Sequence, residues 1–167
     1  MLRSLWTTQY FTPFKIRLLL AKTYLVPTLL YGCELFSGCS SSEKCKLKTT
    51  YNNIARYVFN LKRYDSLSQF AKKIFKVSFD NLMKCRSLIF LQRLIYTKEP
   101  LYLYQKLTFA RSNRGTILIP IRYRHQISNR QFFIYAIRLW NQLPRNIQNT
   151  SNAIQFKKLI FDYYENH

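Results

Sequence analysis

Three glycines, Gly32, Gly38 and Gly115, are all that this chain of 167 residues contains, and that scarcity narrows what it can fold into. Tight hairpins and phosphate-cradling loops lean on glycine for backbone with positive φ, so the sequence predicts helices. Material for a core is present: 48% of the residues are apolar, with 13 Tyr, 13 Phe and 2 Trp. Disorder goes with low hydrophobicity and few aromatics, so the chain is expected to fold. At this length a domain buries about 70% of its unfolded surface without needing a disulfide or metal staple.

Apolar periodicity places the elements. Phe11 to Phe36 reads as one long helix bent at Pro27, with Phe14, Leu18, Tyr24, Leu25, Leu29 and Phe36 as buried candidates. Ser40 and Glu43 form a capping box for a helix over about 43–60, whose stripe is Leu47, Tyr51, Ile54, Val58 and Leu61. Ser66 with Gln69 predicts a second box before a short helix ending near Phe75. Ser78 and Asp80 open a helix to about Tyr96, apolar on a broad surface and so expected at the centre. Ile117 to Arg124 alternates with a period of two, and Pro120 bars it from the middle of a sheet. Ser128 with Gln131 opens a helix that Pro144 stops, and Phe156, Leu159, Ile160 and Tyr163 line the last one. The expected fold class is all-α: a compact multi-helix domain with one short extended segment near 117–124.

Charge then limits function. There are 27 Lys and Arg against 7 Asp and Glu, a formal net charge of +20. The acids, Glu34, Glu43, Asp65, Asp80, Glu99, Asp162 and Glu165, are scattered. Two-metal phosphoryl transfer needs clustered carboxylates, and the one close pair, Asp162 and Glu165, fits a solvated helix face. Cys33, Cys39 and Cys45 are each six residues apart, too wide for the close pairs of zinc modules, and are expected with Cys85 as buried or half-buried free thiols in a reducing compartment. The longest uncharged runs, Ser4 to Phe14 and Thr23 to Cys33 among them, hold 11 residues each, short of a membrane span. No signal peptide is recognisable, and an ordinary folded start in an intracellular protein, nuclear or cytoplasmic, is expected over an organellar transit segment.

So large a cationic excess on a folded scaffold points to a polyanion, with nucleic acid as the leading partner and no membrane. Candidate phosphate contacts are Lys44, Lys48 and Arg56 on the capped helix, Lys72, Lys73 and Lys76 on the next, and Arg111, Arg114, Arg122 and Arg124 around the extended segment. For Arg122 and Arg124 an alternative stands level, a charged edge strand protected from aggregation. Lys62 and Arg63 add to the basic run. Phenylalanines are expected in the core, while exposed tyrosines could either stack on bases or do nothing of the kind.

Two stretches carry a resemblance. TYLVPTLLYGCELF (Thr23 to Phe36), with Tyr31, Gly32 and Glu34, resembles the segment after the polymerase palm in non-LTR (LINE-type) retrotransposon reverse transcriptases, Phe36 standing where Trp is usual. SNRQFFIYAIRLWNQLPRNIQNTSNAIQFKKLIFDYY (Ser128 to Tyr164) is similar to the closing block of jockey-like and CR1-like elements, through Phe132, Phe133, Trp140, Asn141, Leu143, Pro144 and Phe156. The resemblance implies a thumb-like region over 1–110 and a C-terminal region over 111–167 of an RNA-directed DNA polymerase, without catalytic residues. The parent's magnesium and its paired aspartates would lie in the missing fingers and palm, and no cofactor is implied for this chain. Its implied partners are the RNA template, the DNA primer or their hybrid. A stand-alone basic helical RNA-binding protein, organellar among the options, is the alternative reading, and an inert structural remnant is the third. Trp140 is expected as a core anchor rather than a nucleic-acid contact.

Overall fold

The computed structural model describes residues 9–112, 115–120 and 132–166, with backbone only for 35, 37, 38, 68, 111, 112, 115 and 116. The fold is mostly helical with one short two-stranded antiparallel sheet. It divides into two compact units, Met1–Gly32 with Ser40–Phe79, and Cys33–Cys39 with Asp80–His167.

In the first unit, α1 (Phe14–Leu20) runs through a π-helical turn, Ala21–Leu25, into α2 (Val26–Leu30). The expected helix to Phe36 thus ends early, because Tyr31 turns extended and Gly32 takes a φ of +64°. A 3-10 turn, Cys33–Gly38, follows in the chain and belongs to the second unit. Pro27 acts upstream of itself: its ring crowds the carbonyl four residues before, at Thr23, and the wider turn there relieves the clash. Burial also differs from expectation. Ala21, Leu25 and Leu29 make the inward stripe, whereas Phe14 and Tyr24 are exposed.

The helix α3 (Ser41–Phe59) starts on the expected capping box, Glu43 N–H donating to Ser40 Oγ at 3.3 Å and Ser40 N–H to Glu43 Oε2 at 2.8 Å. Tyr51, Ile54 and Val58 are buried as the stripe predicts, joined by Ala55 and Tyr57, while Leu47 and Leu61 are half-buried. Tyr51 stacks on Phe75 at 4.0 Å, and its hydroxyl donates to the Val77 carbonyl at 2.7 Å. Next, α4 (Ser68–Phe75) has Leu67 at its N-cap and no side-chain cap bond, so the box expected from Ser66 and Gln69 is absent. The helix begins one residue too late for it, and Ser66 lies ahead of the N-cap.

The second unit is built on α5 (Phe79–Thr97), whose Leu82, Cys85, Leu88, Leu91 and Leu94 are buried. Gln92, only 1% exposed, donates through Nε2 to the carbonyls of Ser151 at 3.0 Å and Thr150 at 3.4 Å, so its amide is satisfied inside the core. A short α6 (Leu101–Tyr104) leads to β1 (Thr108–Ser112), which pairs with β2 (Gly115–Ile119) in the register Phe109 to Leu118. The extended segment therefore starts earlier than 117 and has a partner strand that the sequence did not suggest. A hairpin forms after all, with one of the rare glycines opposite Ser112. Residues 121–124 of the expected segment lie outside the described ones, as does the Ser128–Gln131 cap.

Pro144 follows the end of α7 (Phe132–Gln142) and precedes the single turn α8 (Arg145–Gln148). Trp140 is buried and stacks on Phe156 of α9 (Ala153–Asn166), with ring centroids 5.7 Å apart. Its expected role as a core anchor is the one it has. Phe132 and Phe133 are half-buried and meet edge to face.

Candidate nucleic-acid interface

The cations of the first unit are arranged by α3. Lys48, Asn52 and Arg56 are spaced four apart, so they share one face that the apolar stripe leaves free. At the C-terminal end Asn60 adopts a left-handed φ of 55°, and the Leu61 N–H returns to the Arg56 carbonyl at 3.1 Å. The chain then tightens: Asp65 Oδ2 accepts from the Lys62 N–H at 2.6 Å. These two turns bring Lys62 and Arg63 back beside Arg56, whose Nη2 donates to the Arg63 carbonyl at 3.2 Å. Arg56 Nε is buried and has no hydrogen-bond partner among the described residues.

Two clefts flank Arg56. The larger, about 670 Å³, takes Arg56, Lys62 and Arg63 as its cations, with Tyr10 at one side. Three carboxamides, Gln9, Asn53 and Asn60, complete its polar wall. Gln9 is fixed there because its Nε2 donates to Asn60 Oδ1 at 2.8 Å and to the Arg56 carbonyl at 3.4 Å. The smaller cleft, about 310 Å³, is lined by Lys48, Arg56 and Lys72, with Asn52 and Ser78. Among the described residues no carboxylate lines either cleft.

Among the candidate residues, then, Lys48, Arg56 and Lys72 come together. Lys44 sits on the same helix, nearer the cap, and lines neither cleft. The ammonium of Lys73 lies 5.5 Å from the Phe70 ring and 6.0 Å from that of Phe59, a cation–π seat on aromatic surface. Lys76 ends α4 with a φ of +68°. Arg111 pairs with Thr116 in the sheet of the second unit, and Arg114, Arg122 and Arg124 lie outside the described residues. The sequence reading missed Gln9, Tyr10, Asn53 and Asn60, polar residues whose types announce nothing until the fold groups them.

The motif residues line neither cleft. Tyr31 is 87% exposed, Gly32 forms the left-handed turn, and Glu34 lies in the 3-10 turn. Leu143 and Phe156 are buried with Trp140, and Asn141 reaches the sheet. Cys33 and Cys85 are buried thiols, each pushed up to about 12 chiefly by burial, and Cys39 is half-buried, all within the expectation; Cys45 alone departs from it, being exposed. Cys45 falls on the solvent side of α3, one residue after Lys44. Among the described residues no three His, Cys, Asp or Glu gather as a metal site, and no helix is long and apolar enough to cross a membrane. Comparison with protein families, with curated proteins and with solved structures finds no match.

Proposed function

We propose that this chain binds nucleic-acid phosphates, as the non-catalytic C-terminal part of a non-LTR reverse transcriptase that grips primer and template behind the active site. The observation that carries the binding is the pair of acid-free clefts joined at Arg56, in a chain of net charge +20. A low-acid concavity raises the local potential for an anion, and counterion release from the nucleic acid supplies the free energy. The polymerase assignment is supported by the two resembling stretches and by the dispersed carboxylates, which suit a segment that holds substrate while another performs the reaction. Magnesium chemistry belongs to the parent's palm in this reading, and the work is done in the nucleus or cytoplasm.

Titration of a labelled RNA–DNA hybrid between about 50 and 200 mM salt tests it. Five cleft cations predict that log affinity falls with log salt at a slope of about −4 to −5. Lys48→Gln and Lys72→Gln each reduce that slope by about 1, whatever the base sequence. Absence of binding at the lower salt overturns the reading.

A further inference from the structure

We propose that the larger cleft of the first unit holds one unstacked nucleotide, its base against the Tyr10 ring and its phosphate on Lys62 and Arg63. The inference rests on the nucleic-acid reading and adds to it what the two clefts do differently.

A groove that only tracks a phosphodiester backbone needs cations and little else. The smaller cleft answers to that description: besides Lys48, Arg56 and Lys72 its aromatic members are Tyr51 and Phe79, both buried, and the Tyr51 hydroxyl is already bonded to Val77. It offers no free ring face. The larger cleft has the same kind of cations plus the components for a base. Tyr10 is 80% exposed, and its backbone is tied in place by its neighbour Gln9, which is buried and doubly bonded to the end of α3. A ring so placed is a stacking platform that any base can use.

The carboxamides supply edge contacts. Gln9 is buried and uses its Nε2 within the protein to fix Asn60, whose Oδ1 takes that bond and whose Nδ2 is left to donate to a base edge. Asn53 adds a donor and an acceptor about two turns before Asn60, the C-cap of α3. At about 670 Å³ the cleft is within the range of about 300–1,000 Å³ of small-ligand sites. With Arg56 common to both clefts, a single strand has a continuous route: backbone on Lys48 and Lys72, then a base turned toward Tyr10.

Anisotropy titrations of the full chain with single-stranded RNA and with an RNA–DNA hybrid separate the possibilities. Tyr10→Ala is expected to weaken single-strand binding about 5- to 150-fold while leaving the hybrid, whose bases are paired, unchanged, and Tyr10→Phe to bind as the parent does. Equal affinities of parent and Tyr10→Ala for the single strand would overturn the nucleotide site and leave the phosphate-binding reading intact. Equal weakening on both probes would also overturn it, since Tyr10 would then serve the scaffold. If the parent chain binds neither probe, the broader reading fails and this one with it.

Discussion

The side-chain amide of Asn141 pairs with both backbone groups of Leu118, its Nδ2 donating to the Leu118 carbonyl at 2.7 Å and its Oδ1 accepting from the Leu118 N–H at 3.3 Å. Leu118 belongs to β2, whose outward edge would otherwise present those groups unpaired, and Asn141 therefore acts as a one-residue strand supplied by a helix. The same contact gives the Asn of the W-N-x-L-P block a structural duty.

Asn141→Ala is expected to destabilise the second unit by about 1–3 kcal/mol, the cost of leaving part-buried backbone groups without partners. Urea denaturation of parent and variant measures it. A loss confined to the hairpin appears as faster amide exchange at Leu118 with the helices unaffected.

Phe156 has no solvent exposure and is the ring on which Trp140 stacks. Its replacement by Ala is expected to cost about 3–5 kcal/mol, since the surrounding core can close only part of the space. In a Trp6→Phe background, which leaves Trp140 as the one tryptophan, near-ultraviolet circular dichroism follows Trp140, and an unchanged tryptophan signal with unchanged stability would contradict the packing described.

Glu43 accepts from the Ser40 backbone N–H and from the Ser40 hydroxyl, and these bonds, the backbone one foremost, hold its carboxyl below the usual carboxylate range. A carboxyl with a depressed pKa stabilises the fold above its unfolded value, and that contribution disappears as pH falls through the folded one. The capping box is thus expected to weaken on acidification below about pH 4.5. Glu43→Gln removes that part of the pH dependence, and thermal melts of both proteins at neutral and acid pH show it.

Thiol accessibility follows burial. Cys45 is exposed and reacts first with iodoacetamide, Cys39 more slowly, and Cys33 and Cys85 only once the chain unfolds, because burial lifts both buried thiols to about 12 and keeps thiolate scarce. Peptide mass mapping with and without denaturant gives the order.

Local signals were readable in the sequence. The Ser40–Glu43 box and the Tyr51, Ile54, Val58 stripe depend on residues three and four apart, which is the range over which a helix enforces contact. In Phe14–Leu30 apolar residues fall all round the helix, so periodicity does not choose a face, and small Ala21 is buried while the larger Phe14 and Tyr24 are exposed. The alternation of Ile119, Ile121 and Tyr123 with Pro120, Arg122 and Arg124 marks the extended segment, but the partner strand Thr108–Ser112 is too short and mixed to announce itself. The candidate site divides the same way. Single cations such as Lys48 and Lys72 are visible as charges, whereas the gathering of Lys62, Arg63 and Gln9 around Arg56 depends on a left-handed Asn60 and on a bond spanning 47 residues.

The π-helical turn at Ala21–Leu25 has an evolutionary corollary. Such a turn accommodates one residue more than an α-helical one, so losing a single residue there would convert it to regular helix and leave the flanking faces in phase. The same loss in α3 would rotate everything beyond it by about 100°, carrying Arg56 off its face. Length variation by one residue is therefore permitted in the helix that carries Pro27 and forbidden in the helix that carries the charge.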